Sequence, residues 1–138
     1  LLRNLELSEV STVYEHMGLE DFMKSDGRIS AKRYSVILRA LYNSSYLTEE
    51  NSQKLLLYLT QSSFKDYIQS ALPQDVAFAH KIGISGEEGV FLDSGIVYEQ
   101  NRPYSLTIMI KNRDEQKSKE IMKDVSEKIF NYVKNYKD

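Results

Sequence analysis

Cysteine is absent from the 138 residues. That excludes a disulfide framework, a thiolate nucleophile and a zinc knuckle, but it does not fix a compartment, since many exported proteins also lack cysteine. Charge of one sign is lacking too: 18 Lys and Arg stand against 20 Asp and Glu, for a formal net charge of −2. The lysines alternate with acids instead of forming a stripe, so there is no basic excess for counterion release and no nucleic-acid partner is expected. No apolar run approaches the roughly 18 residues of a membrane span, and no charged-then-apolar leader is present in the chain as given. Histidine occurs twice, without a second His at i+4 and without H-x-E or H-E-x-x-H spacing, so neither a metal nor a cofactor is expected.

What is present reads as helices first and strands second, an α+β chain. Leu7, Val10, Val13, Tyr14 and Met17 recur at helical spacing and Gly18 follows as the residue able to take a left-handed cap. The Asp26-Gly27 pair suits a tight bend. Ser30 is the expected N-cap of a helix carrying Tyr34, Ile37, Leu38 and Leu41 on one face, and Thr48, followed by Glu49 and Glu50, that of a third with a stripe of Leu55, Leu56 and Leu59. A shorter helical stretch around "SSFKDYIQSAL" should end before Pro73.

The period then changes. Val76, Phe78, His80 and Ile82 alternate with Ala77, Ala79, Lys81 and Gly83, and "VFLDSGIVY" and "YSLTIMIK" supply two more strands. Short loops make the three an antiparallel meander. Four of the six glycines lie between 83 and 95, marking the first hairpin and a close approach at Gly95, while Pro103 opens the last strand. From Asp114 onward Met122, Val125, Ile129 and Val133 align along a long helix that needs an apolar surface.

Few residues offer chemistry. His16 sits at a helix end, where a cation is mildly favoured, and His80 shares a strand face with apolar residues, which makes it a core histidine with a partner sooner than a ligand. "GISGEEG" lacks the dinucleotide and P-loop spacing and carries Glu87 and Glu88 where a phosphate would sit, so it is a hairpin loop. The ten tyrosines, Tyr34 and Tyr58 among them, fall largely on core-facing positions. Ser62 and Lys65 fit S-x-x-K, a pattern that recurs by chance in a chain rich in Ser and Lys. Lys81 differs: its own strand face bears the small Ala77 and Ala79, which lets a helical layer press close and leaves the ammonium in a partly desolvated cleft suited to an anion.

The stretch "ISAKRYSVILRALYNSSYLTEENSQKLLLYLTQSSFKDYIQSALPQDVAFAHKIG", followed by "GVFLDSGIVYEQNRPYSLTIMIKN", resembles the C-terminal part of a class A β-lactamase-like serine hydrolase of the penicillin-recognising superfamily. The resemblance implies a β-lactamase/transpeptidase-like fold. Residues 1–73 would be part of a helical lobe, and residues 74–138 the sheet strands and C-terminal helix of an α/β lobe. It implies acyl-enzyme formation on a β-lactam or a D-alanyl, peptidoglycan-like substrate outside the cytoplasm. Lys81 would act electrostatically, Ile82 and Gly83 would border the substrate, and the Ile84 backbone N–H would be one half of an oxyanion hole.

Nucleophile and proton-transfer triplet would then lie upstream of Leu1, and an N-terminal fragment or a second copy would cover the open sheet edge. Two departures point away from efficient β-lactam hydrolysis. Ile82 stands where the family has Thr or Ser, and the segment from Gly18 to Ser30 lacks E-x-x-L-N, the usual source of the deacylating Glu. A catalytically degenerate domain with a cell-surface binding or structural role is the alternative, and an unrelated α+β interaction module the third.

Overall fold

A computed structural model describes residues 6–20, 28–100, 102–112 and 114–136. The Asp26-Gly27 bend and the first five residues lie outside them. Helix α1 spans Leu7–His16 and ends as its sequence dictates, with Gly18 at φ +66°. Helix α2, Ala31–Tyr42, is capped by Ser30, whose hydroxyl accepts from the Arg33 amide at 3.2 Å; helix α3, Glu49–Thr60, is capped by Thr48, which accepts from Asn51 at 3.3 Å. A 3-10 turn over Ile68–Ala71 leads to strands β1 (Phe78–Ser85), β2 (Val90–Val97) and β3 (Tyr104–Lys111). Helix α4, Glu115–Asn135, is capped by Asp114, whose carboxylate accepts from Lys117 at 3.0 Å.

The strands form one antiparallel sheet in the order β1-β2-β3. Its register places Ala79, Ile96 and Ser105 in one row, then Lys81, Ser94 and Thr107, then Gly83, Leu92 and Met109, all on one face. Helix α3 covers that face over β1, and α2 covers it over β2 and β3; Leu38, Leu41, Leu56, Ala79 and Ile96 make the core between them. On the other face Phe78, Val97 and Leu106 pack with Ile68, Leu72 and Phe130, so the 3-10 turn and α4 close the second layer.

Three sequence expectations shift. Leu55 is 41% exposed, and the side of α3 turned inward carries Ser52 and Leu56. On α4 the buried ridge is Ser118, Met122, Ser126 and Phe130, spaced by four, leaving Val125 38% exposed. Serines cause both misreadings: a small side chain lets a helix approach its neighbour closely, and at Ser118 the hydroxyl is occupied by the Asp114 carbonyl one turn back, at 3.0 Å. The expected helix around "SSFKDYIQSAL" contracts to the 3-10 turn because the Ile68 amide donates to the Asp93 carboxylate, at 3.1 Å, and not to a carbonyl one turn earlier.

Gly95 is where the sheet tolerates no side chain. A Cβ built there would lie 2.5 Å from the Ala79 carbonyl oxygen, 2.5 Å from Phe78 Cε2 and 2.6 Å from His80 Cβ. The carbonyl is backbone and cannot swing aside, so Gly95→Ala should destabilise the fold by about 1–3 kcal/mol, read as a lower urea midpoint with an unchanged slope.

Candidate active site

Antiparallel pairing settles which way each amide of β1 faces. Tyr98 donates to the Ala77 carbonyl at 2.9 Å, which makes these two a hydrogen-bonded pair. Bonded pairs alternate, so Ala79, Lys81, Gly83 and Ser85 exchange hydrogen bonds with β2. The N–H and C=O groups of His80, Ile82 and Ile84 therefore point to the other edge, where no strand lies among the described residues.

Lys81 projects from the face covered by α3, and its ammonium donates to the outward carbonyl of Ile82. Beside it runs a groove of about 350 Å³ whose opposite wall is the end of α3 and the turn after it, with Tyr58, Ser62, Ser63 and Phe64. Tyr58 and Phe64 are 55% and 51% exposed, so Tyr58 belongs to this groove and not to the core. Gly83 faces open space: an added Cβ would meet only Leu92, at an ordinary 3.5 Å. Ile84 is half exposed at the edge, while the Ile82 side chain turns inward and packs with Tyr67, Phe91 and Met122. Ser62 and Lys65 share no helical turn; the Ser62 hydroxyl accepts from the Phe64 amide at 3.3 Å.

The residue that sequence reasoning passed over is Asp93. Fully buried, it accepts from the Ile68 amide through Oδ2 and lies 2.8 Å through Oδ1 from Nδ1 of His80, itself 2% exposed. The His80 ring stacks on Phe78 at 4.4 Å between centroids, and both residues crowd the position where Gly95 carries no side chain. A signal existed: an acid inside the apolar run "VFLDSGIV" must have a buried partner, and the neighbouring strand offers a His on the same face. His16 is exposed in the last turn of α1, its ring 6.4 Å from that of Tyr46. No group of three or more potential metal ligands occurs among the described residues.

Behind Ile82 the turn is pinned to α4. The buried Tyr67 donates its hydroxyl to Glu115 at 2.9 Å, and Lys119 reaches Glu115 at 2.9 Å and Asp66 at 3.5 Å. Hydrogen bonds from Lys119 and Tyr67 hold Glu115 below the usual carboxylate range, and Glu115 raises Lys119. Burial first, then the bond to Glu115, pushes Tyr67 up to about 12; burial, then Glu99, does the same for Tyr104, to about 12. Unfolded tyrosine titrates near 10. The folded state thus holds these protons more tightly than the unfolded chain, and the stability they contribute is complete below about pH 10 and lost as pH rises through about 12. Urea midpoints measured from pH 8 to 11.5 should fall only above about pH 10, and less steeply in Tyr67→Phe.

The model of the β-lactamase enzyme family matches residues 1–133. Among solved structures, that of PBP-A superimposes with a TM-score of 0.80 at 19% identity, over 94% of this chain and 52% of that one. A PBP-A L158E mutant, an acyl-enzyme complex with penicillin G, gives 0.78 at 18% identity over the same shares. The β-lactamase from Francisella tularensis gives 0.69 at 20% identity, over 79% of this chain and 43% of that one. No curated protein matches. The chain thus spans about half the length of the solved structures it resembles, with their β-lactamase/transpeptidase-like fold. Together with the helix order and the three-stranded sheet, the match over residues 1–133 establishes that the chain belongs to the β-lactamase enzyme family.

Proposed function

We propose that this chain supplies one wall of a serine acyl-transfer site that forms an acyl-enzyme with β-lactams or D-alanyl peptide-like substrates. The observation that carries the reading is the edge of β1 that is open among the described residues, where the Ile84 amide points outward three residues after an exposed Lys81. An outward backbone N–H can donate to an oxyanion whatever its side chain, and a nearby ammonium favours the substrate's carboxylate. Lys81 is then the electrostatic group and Ile84 the oxyanion donor, with Ile82 and Gly83 bordering the substrate. Residues 1–73 act as part of the helical lobe and 74–138 as part of the α/β lobe.

The nucleophile comes from outside these 138 residues, since Ser62 and Lys65 share no helical turn. Its natural source is an N-terminal portion of the same protein, with a second copy as the other candidate. Such a partner covers the sheet edge that is open among the described residues, and acts outside the cytoplasm. No helix among the described residues is long and apolar enough to cross a membrane.

One observation favours a second reading, a degenerate domain kept for binding or structure at the cell surface. The Ile82 side chain is buried with Tyr67, Phe91 and Met122, so the strand offers no hydroxyl to a substrate carboxylate at that position. Leaving such a carboxylate group unpaired costs on the order of 1–3 kcal/mol.

Intact mass after exposure of the assembled protein to a penicillin separates the two. Acyl transfer predicts a chain heavier by one ligand. Lys81→Gln, which removes a charged hydrogen bond, should slow acylation roughly 10- to 150-fold. Acylation at an unchanged rate would remove Lys81 from its role, and no acylation would leave the degenerate reading. The open edge makes a separate prediction: sedimentation of the isolated chain should show self-association, and a cooperatively folded monomer would contradict it.

A further inference from the structure

Beyond Lys81 on the same face of β1 lies a second cavity, of about 450 Å³, of which the roles above use only Gly83 and Ile84 at the near end. It begins at Gly83 and Ile84, the position of the outward amide, and runs across the sheet toward β3. Its floor is apolar, made by Val90, Leu92 and Met109. Among the described residues its charged groups are Lys111 on β3, Arg28 just before α2, and Glu88 in the β1–β2 hairpin. Lys111 is exposed and makes no ion pair among the described residues.

The register fixes the scale. Ser85, Val90 and Lys111 stand in one row, so Lys111 lies two strand spacings, about 10 Å, from the edge where the Ile84 amide sits. An apolar stem running across that floor from an acyl carbonyl would bring its far end to the Lys111 ammonium. Extended apolar surface along the stem and one negative charge at its tip match what the cavity presents.

From this juxtaposition we infer that the cavity is a subsite for acyl donors whose side chain is an apolar stem ending in a carboxylate, with Lys111 as the residue that selects the charge. The inference rests on the reading of β1 as the acyl-binding edge, and its test is therefore one of binding, not of acylation.

The probes are hexanoate and its uncharged analogue hexanamide, titrated into the full chain carrying labelled methyl groups. Hexanoate should shift the methyl signals of Val90, Leu92 and Met109, with an affinity up to about five-fold above that of hexanamide, the range of a solvent-exposed ion pair. Lys111→Gln should reduce hexanoate to the level of the amide, and Lys111→Arg should restore the preference. Equal binding of both probes overturns the inference, as does a preference that survives Lys111→Gln, or shifts confined to Leu59 in the groove beside Lys81. A chain that binds hexanoate over Met109 yet is never acylated by a penicillin would retain the subsite and lose the catalytic reading.

Discussion

The arrangement depends on one buried carboxylate. Asp93 holds the imidazole of the strand that carries Lys81 with one oxygen and the first amide of the 3-10 turn with the other. That turn continues the segment forming the groove's far wall, so a single side chain on the central strand ties the two walls to each other. A carboxylate with no exposed surface is tolerable only because both oxygens are engaged, and the same low dielectric that makes an orphan there expensive makes the satisfied arrangement stiff. Gly95 belongs to this device, since the Ala79 carbonyl, the Phe78 ring and the His80 Cβ occupy the volume its side chain would need.

Around that pin the sheet works as a partition. One face is apolar except for the buried His80–Asp93 pair and closes on α4 and the 3-10 turn. The other begins apolar under α2 and α3, becomes polar at the row of Lys81, Ser94 and Thr107, where the last two hydroxyls lie 2.6 Å apart, and opens at its far end into the cavity beside Lys111. Stability and candidate chemistry are therefore assigned to different faces of the same three strands. Helix α1 is the least embedded of the helices: none of its residues is buried and Leu7 is 79% exposed, while Val10 and Tyr14 are half-buried.

Much of this was legible in the residues. Ser30, Thr48 and Gly18 announce helix ends because each solves a local backbone problem that few other side chains can solve, and the period-two runs announce the strands. Hydrophobicity marks Leu55 and Val125 as inward, yet serines occupy part of the inward side and both residues are partly exposed. The roles proposed for Lys81, Gly83 and Ile84 come from a family resemblance, carried over by position. Asp93 signals only that it needs a buried partner; which partner it finds, like what surrounds Lys111, depends on the register between strands, which is not written within any one strand. Tyr58 was assigned to the core from spacing alone, although the turn after α3 leaves it beside the groove.

The outward amides of β1 also set a ruler. Exposed N–H and C=O groups recur along such an edge once every two residues, roughly 6.6–6.8 Å apart. On β1 the stations are 80, 82 and 84, of which His80 and Ile82 are buried and the Ile82 carbonyl already accepts from Lys81, so the half-exposed Ile84 is the one open to solvent. A chain added along this edge would meet an open station at the Ile84 end and would have to displace the Lys81 contact to reach the next.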